Sequence, residues 1–335
     1  NKIYKTINSK FSRFFKFVFF LRYLFVIFFV AIVFFFIIPQ FFDYKKKEKT
    51  IKKYLYQNYS LEIKSLDHIK YYFFPFPHLK IINLSSNYNS TSLKLETELL
   101  TIYPELFSIY NYENFKVRKI KLENNKFETD FKNVNDLKKI LLNSENKIFF
   151  KNLDLQLKES NNSIIDFKNI DYANYGYRKN RIIGKVFNKK FKIYIKDDLK
   201  NINFKMPGAG ISSNFNILET KKNSGFKGVL KGKVLKTNFK LNFDYNNKLL
   251  KINNLFFRGR ELSFDSKGKI DISPFFKASL TSNIKNINPN LLKKIDIDNL
   301  LNFKDFIKKI NAQKIIIFKS QRFHRNLINN LNPET

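Results

Sequence analysis

The chain has 335 residues, 62 Lys and Arg against 28 Asp and Glu, a formal net charge of +34 and no cysteine. The lack of cysteine excludes a disulfide framework, a thiolate nucleophile and a thiolate metal site. The charge invites a nucleic-acid partner, but 53 of the basic residues are Lys and only 9 are Arg, whereas phosphate and base recognition favours the Arg fork. The lysines run along the whole chain without gathering into a patch, and Lys, Asn, Ile and Phe share AT-rich codons. A solvated basic face in a compositionally biased chain is the reading, and nucleic acid is discounted as a partner.

Residues Tyr23 to Phe42 carry no charge and are crowded with Phe, Val and Ile. As an α-helix rising 1.5 Å per residue, the run spans about 30 Å, the thickness of a bilayer's hydrocarbon core. A cleaved signal peptide is the competing reading. The run is longer than a typical signal-peptide apolar region, and no small-x-small site follows it. Pro39-Gln40-Phe41-Phe42-Asp43 leads instead into Tyr44-Lys45-Lys46-Lys47, so a retained anchor is expected. Arg22 is placed to snorkel to the headgroups. Six basic residues precede the run (Lys2, Lys5, Lys10, Arg13, Lys16, Arg22) and six follow it (Lys45, Lys46, Lys47, Lys49, Lys52, Lys53), so charge does not orient the span.

A juxtamembrane helix is expected over 43–60, with Thr50 as its cap and Ile51, Tyr54 and Leu55 on one side. From residue 61 onwards period 2 takes over. Leu153, Leu155 and Leu157 alternate with polar residues, as do Phe191, Ile193 and Ile195, then Phe239, Leu241 and Phe243, then Ile270 and Ile272, then Ala278, Leu280 and Ser282. Such strands have one apolar and one polar face, as in antiparallel sheet solvated on one side. Hairpin turns are expected at Glu123-Asn124-Asn125-Lys126, Phe187-Asn188-Lys189-Lys190, Tyr245-Asn246-Asn247-Lys248 and Ser266-Lys267-Gly268, Asn often standing where φ is positive. Short helices are expected at Asn135 to Leu142, after Asn288-Pro289, and at Asn302 to Ile310. The fold class is mainly β: one transmembrane helix at 23–42, then an extended, curled, groove-like antiparallel sheet with a few short helices.

Chemistry is scarce. Gly208-Ala209-Gly210 lacks the residues of a phosphate loop and reads as a tight turn. Asp197-Asp198 sits in a polar, solvated setting. His68, His78 and His324 have no partner at metal-ligand spacing, and His68 and His78 read as surface histidines. With no nucleophile–base pair, the chain is read as no enzyme, and neither cofactor nor metal is expected.

Between Leu61 and Leu84 come a strand (Leu61, Ile63), a turn, a second strand (Ile69, Tyr71, Phe73), and then Pro75-Phe76-Pro77-His78-Leu79-Lys80-Ile81. Leu93 to Tyr103 reads as strand, Pro104-Glu105-Leu106-Phe107 as a corner, and Phe115, Val117, Ile120 and Leu122 as the strand beyond. This order resembles the N-terminal region of AsmA-like bacterial envelope proteins, whose Pro-x-Pro segment corresponds to Pro75, Pro77, Leu79 and Ile81. Pro274-Phe275-Phe276 resembles a strand opening in the same family. The likeness covers roughly residues 17–290. Where the family often has Gly, this chain has Asn58 and Asp67, which tolerate left-handed backbone.

The resemblance implies a basic cytoplasmic arm at 1–22, a single pass through the bacterial inner membrane, and a periplasmic β-domain at 61–335. That domain is short for the family, as expected of a truncated piece. It further implies envelope and outer-membrane biogenesis, with phospholipid carried on the apolar face of a β-groove. The residues for that face are Leu153, Leu155, Leu157, Phe191, Ile193, Ile195, Phe239, Leu241, Phe243, Ile270 and Ile272. Two alternatives stand beside it. The same face packs as an ordinary core, or the domain is a membrane-tethered scaffold for outer-membrane protein assembly that recruits other envelope proteins by strand addition.

Overall fold

The computed structural model describes residues 12–88, 93–130, 146–159, 162–196, 200–220, 225–234, 237–246, 249–260, 262–271, 277–287 and 314–320. The apolar run forms α1 (Ser12–Ile37), which tightens into a 3-10 turn at Ile38–Phe41. One span of 26 residues, Lys16–Phe41, is long and apolar enough to cross a membrane, and its most apolar stretch is unburied. The helix therefore starts ahead of the uncharged run, because nothing in Ser12 to Arg22 breaks it. The next helix, α2 (Tyr44–Tyr59), is capped by Asp43, whose side chain accepts from Lys45 N, and not by Thr50. Asp43 is the first cap-forming side chain after the 3-10 turn, so the helix fills the expected 43–60 with its cap seven residues ahead of Thr50.

The strands are β1 (Leu61–Ser65), β2 (His68–Tyr72), β3 (His78–Tyr88), β4 (Leu93–Pro104), β5 (Val117–Asp130) and β6 (Ile148–Glu159). Then come β7 (Asn162–Ala173), β8 (Arg181–Val186), β9 (Lys189–Lys196), β10 (Asn201–Met206), β11 (Ile211–Thr220) and β12 (Phe226–Val234). The last are β13 (Thr237–Asn246), β14 (Leu249–Arg258), β15 (Leu262–Asp271), β16 (Lys277–Ile287) and β17 (Lys314–Ser320). They form one 17-stranded, weakly curled sheet. From β3 onwards each strand pairs with the next in chain order, while β1 and β2 share one edge of β3, β2 along His78–Ile82 and β1 along Ser85–Tyr88.

Pairing is antiparallel except at β5–β6 and β16–β17, which are parallel. A parallel step needs a crossover of a dozen or more residues, and 131–145 and 288–313 supply that length. The three short helices expected at Asn135 to Leu142, after Pro289 and at Asn302 to Ile310 fall in those segments, outside the described residues, as do Asp197 and Asp198.

Two of the expected turns are strand interior. Glu123-Asn124-Asn125-Lys126 lies inside β5 and Ser266-Lys267-Gly268 inside β15. Asn124 does have positive φ (54°), but within the strand. Asn83 in β3, Asn152 in β6 and Asn169 in β7 have the same conformation, and the ladders of β4 pass over Glu98, between Thr97 and Leu99, without a change of register. The five irregularities form a row. Each such residue shifts the alternation by one: Leu79 and Ile81 give way to Leu84 and Ser86, and Ile120 and Leu122 to Asn125 and Phe127. Because all five strands shift together, the apolar set stays on one face.

The row is stitched on the opposite, polar face. Asn124 Nδ2 donates to Glu98 Oε2 at 2.7 Å, Asn152 Nδ2 to Asn124 Oδ1 at 2.8 Å, and Asn169 Nδ2 to Asn152 Oδ1 at 2.6 Å. Neither Asn58 nor Asp67 takes left-handed backbone; Ser60 (φ 57°) and Asn83 (φ 50°) do. The turn Phe187-Asn188 has positive φ at both residues, the two-residue hairpin its sequence predicts.

The core lies where α2 covers the sheet. Ile51, Leu55 and Tyr59 of α2 are buried with Leu79, Ile81, Leu100, Ile102, Ile120, Leu122, Ile148 and Phe150. A smaller cluster of Ile170, Val186, Phe191 and Met206 continues it to β10.

Candidate functional site

Register places every described member of the predicted groove set on the same face of the sheet. Leu153, Leu155 and Leu157 pair with Ile170, Phe167 and Ile165. Gly184 and Ile182 lead across to Phe191 and Ile193, and Ile193 and Ile195 to Phe204 and Ile202. The row passes through Phe215 and Leu230 to Leu241, with Gly228 opposite Phe243 and Gly232 opposite Phe239. It reaches Leu255 and Phe257 in β14, then Ile270 and Phe264 in β15. Ile272 lies outside the described residues.

One face is thus apolar from β3 to β16, but its surroundings change along the way. Beneath α2 it is a packed core. Leu157, Phe191, Ile195 and Phe243 are buried, while Leu153, Leu155, Ile193, Phe239, Leu241 and Ile270 are half-buried. From β11 to β16 the strands are neighboured by the strands beside them and by the short 3-10 turn at Pro207–Ala209. Among the described residues no helix or second sheet lies over them. Here Phe215, Leu230, Phe239, Leu241, Leu255, Phe257 and Phe264 all keep part of their surface exposed. The six strands β11–β16 make five steps of roughly 4.8 Å, an apolar floor about 24 Å long, roughly one and a half times the depth of one leaflet's acyl layer.

The floor is paved with rings. Phe239 stacks on Phe257 (6.3 Å between centroids) and Phe257 on Phe264 (5.0 Å). Phe215 stacks on Phe243 at 5.5 Å, and Phe167, Phe191 and Phe204 form a further row. Glycines make the rings lie down: a Cβ added at Gly228 would stand 2.6 Å from Phe243 Cζ, and one at Gly232 2.7 Å from Phe239 Cε1. Aromatic side chains lying over a strand glycine restore the cover that the missing side chain would have given. The polarity of the opposite face is its complement, with Lys231, Lys240, Lys251, Lys267 and Lys269 exposed to solvent.

Electrostatics on that polar face are structural. Burial raises the Glu123 carboxyl, but Lys121 and Lys151 on either side outweigh it and hold the group below the ordinary carboxylate range. Asp265 behaves alike: slight burial raises it, and Lys285 and Arg258 lower it further. Among the described residues no three His, Asp or Glu gather as metal ligands.

His78 is a correction to the sequence reading. It is buried, its Nδ1 is 2.7 Å from Phe76 O, and its ring stacks on Tyr72, so it braces the Pro-x-Pro turn instead of lying on the surface. Pro75 and Pro77 form that turn between β2 and β3, and Leu79 and Ile81 enter the core beneath α2. The expected second strand stops at Tyr72, one residue short of Phe73.

Sequence reasoning missed five members of the floor: Phe215, Leu230, Leu255, Phe257 and Phe264. Phe257 and Phe264 stand beside Phe239, and their period-2 signal was available in Leu255-Phe256-Phe257 and Leu262-Ser263-Phe264. No protein-family model, curated protein or solved structure matches this chain.

Proposed function

We propose that this chain is a membrane-anchored, non-enzymatic carrier surface for phospholipid. The observation behind the reading is the apolar floor of β11–β16, which continues a packed core and, among the described residues, has no covering layer. An aqueous protein rarely leaves a contiguous apolar face of that breadth open unless something apolar occupies it. Acyl chains fit a floor of flat rings whose Ser266 and Ser282 hydroxyls are buried and bonded to each other. The lysine-rich reverse face keeps the sheet in water and suits anionic headgroups. The AsmA-like order of anchor, juxtamembrane helix and Pro-x-Pro turn supports placing the protein in bacterial envelope biogenesis, with the β-domain in the periplasm.

Photo-cross-linking tests the surface. Leu241 or Phe257 replaced by p-benzoylphenylalanine in the full chain should give phospholipid adducts by mass spectrometry, and Lys240 replaced likewise should give none. Equal adducts on both faces, or only protein adducts from Leu241 and Phe257, would favour the scaffold over the carrier. Orientation is read separately: Asn246→Cys should react with a membrane-impermeant maleimide in intact spheroplasts.

A further inference from the structure

Among the described residues, six of the eleven large apolar side chains exposed outside α1 and its 3-10 turn crowd one end of the sheet, in the turn after β2 and the corner after β4. Phe74 is 79% exposed, Phe76 69% and Phe107 76%, with Phe73 and Leu106 beside them. Both loops touch α1 well inside its apolar span. Tyr71 Oη donates to Phe36 O at 2.9 Å, and Tyr110 Oη donates to Phe35 O. The Phe35 ring lies 5.8 Å from Phe107 and 4.8 Å from Tyr110. Five residues separate Phe36 from Phe41, where the span ends, so these contacts sit roughly 8 Å inside it. That is the depth at which interfacial helices bury their apolar faces.

We infer that the aromatic tips Phe74, Phe76 and Phe107 are sunk in the leaflet at the C-terminal end of α1, seating the β-domain on the bilayer that anchors it. Two features identify the occupant as that bilayer. The patch is continuous with the spanning helix, since a cleft of about 790 Å³ is lined jointly by Val33 and Phe36 of α1 and by Phe74 and Phe76. Its charge is also right: Arg118 and Lys119 line the same cleft, at the level where lipid phosphates lie. Tyr71 and Tyr110 suit a boundary where one end of the ring is apolar and the other polar. A rigid seat of this kind fixes the direction in which the sheet leaves the membrane, which a single flexible tether would not. The inference rests on α1 spanning the membrane and is independent of lipid carriage by the floor.

The native chain has no cysteine, so single labels are unambiguous. Phe74→Cys, Phe76→Cys and Phe107→Cys, each labelled with a nitrobenzoxadiazole and reconstituted as the full chain in phosphatidylcholine–phosphatidylglycerol vesicles, should lose about half their fluorescence to lipids nitroxide-labelled near the headgroup. Lys240→Cys should be untouched by the same lipids and quenched by iodide. Tips that behave like Lys240→Cys, while Phe29→Cys is quenched by nitroxide deep in the acyl region, would overturn the seat and leave the anchor standing. An unquenched Phe29→Cys would overturn both.

Discussion

Replacing Leu241 with Asp separates an open lipid surface from a sealed core. Leu241 is half-buried in β13 between Leu230 and Leu255, with no layer over it among the described residues. Full burial of a leucine is worth about 1.5–3 kcal/mol, so half-burial puts the lost apolar contact near 1–1.5 kcal/mol, and the new carboxylate reaches water. Leu100, at 0% exposure under α2, is the reference. Leu100→Asp forfeits the whole transfer term, leaves a cavity and buries an unpaired carboxylate, a loss of at least about 4 kcal/mol. The difference of about 3 kcal/mol is roughly a hundredfold in the folding constant.

Urea unfolding followed by circular dichroism should therefore show Leu241→Asp folded, with a modestly lowered midpoint, and Leu100→Asp largely unfolded. In the folded Leu241→Asp protein, phospholipid adducts from p-benzoylphenylalanine at Phe257 should disappear. Equal unfolding of the two variants would refute the uncovered floor. A folded Leu241→Asp protein that keeps its adducts would refute the acyl-chain site.

The row of left-handed asparagines predicts that Asn124→Ala costs about 1–2 kcal/mol, from positive φ and the lost bonds to Glu98 and Asn152, whereas Asn124→Gly keeps the backbone conformation and costs less. Urea midpoints of the two variants check this, and equal losses would assign the row's stability to its hydrogen bonds alone. Gly228→Val should lower the midpoint by about 1–3 kcal/mol, because its Cβ meets the Phe243 ring and the Asn216 carbonyl. The lowered folded-state pKa of Glu123 and Asp265 contributes stability above the ordinary carboxylate range that is lost as pH falls through their folded values. Glu123→Gln should accordingly flatten the acid limb of a stability–pH profile. At the other extreme, burial pushes the Tyr172 hydroxyl up to about 12, so the stability tied to its neutral form is intact below about pH 10 and declines as pH approaches 12, readable as late tyrosinate absorbance, shared with Tyr71, that Tyr172→Phe diminishes.

The sequence alone determined the elements governed by local period and length. A charge-free run of helical length specifies α1, and Leu153, Leu155 and Leu157 or Phe239, Leu241 and Phe243 specify strands with one apolar face, because a period of 2 has no other packing solution. Asn-rich stretches were ambiguous. Positive φ at Asn serves a hairpin at Asn188 and a strand interior at Asn124, and only the strand on either side decides which. Whether an apolar face is a core or an open floor has no local signature: Leu100 and Leu241 alternate alike, yet one lies beneath α2 and the other beneath nothing described. That difference is set by where a 16-residue helix stops relative to a sheet seventeen strands wide. The tertiary structure also brought the Pro-x-Pro turn and the Leu106-Phe107 corner against Phe35 and Phe36, gathering phenylalanines distant in the chain at one end of the sheet. Contacts that close over such distances depend on the path of the whole sheet, which no window of sequence contains.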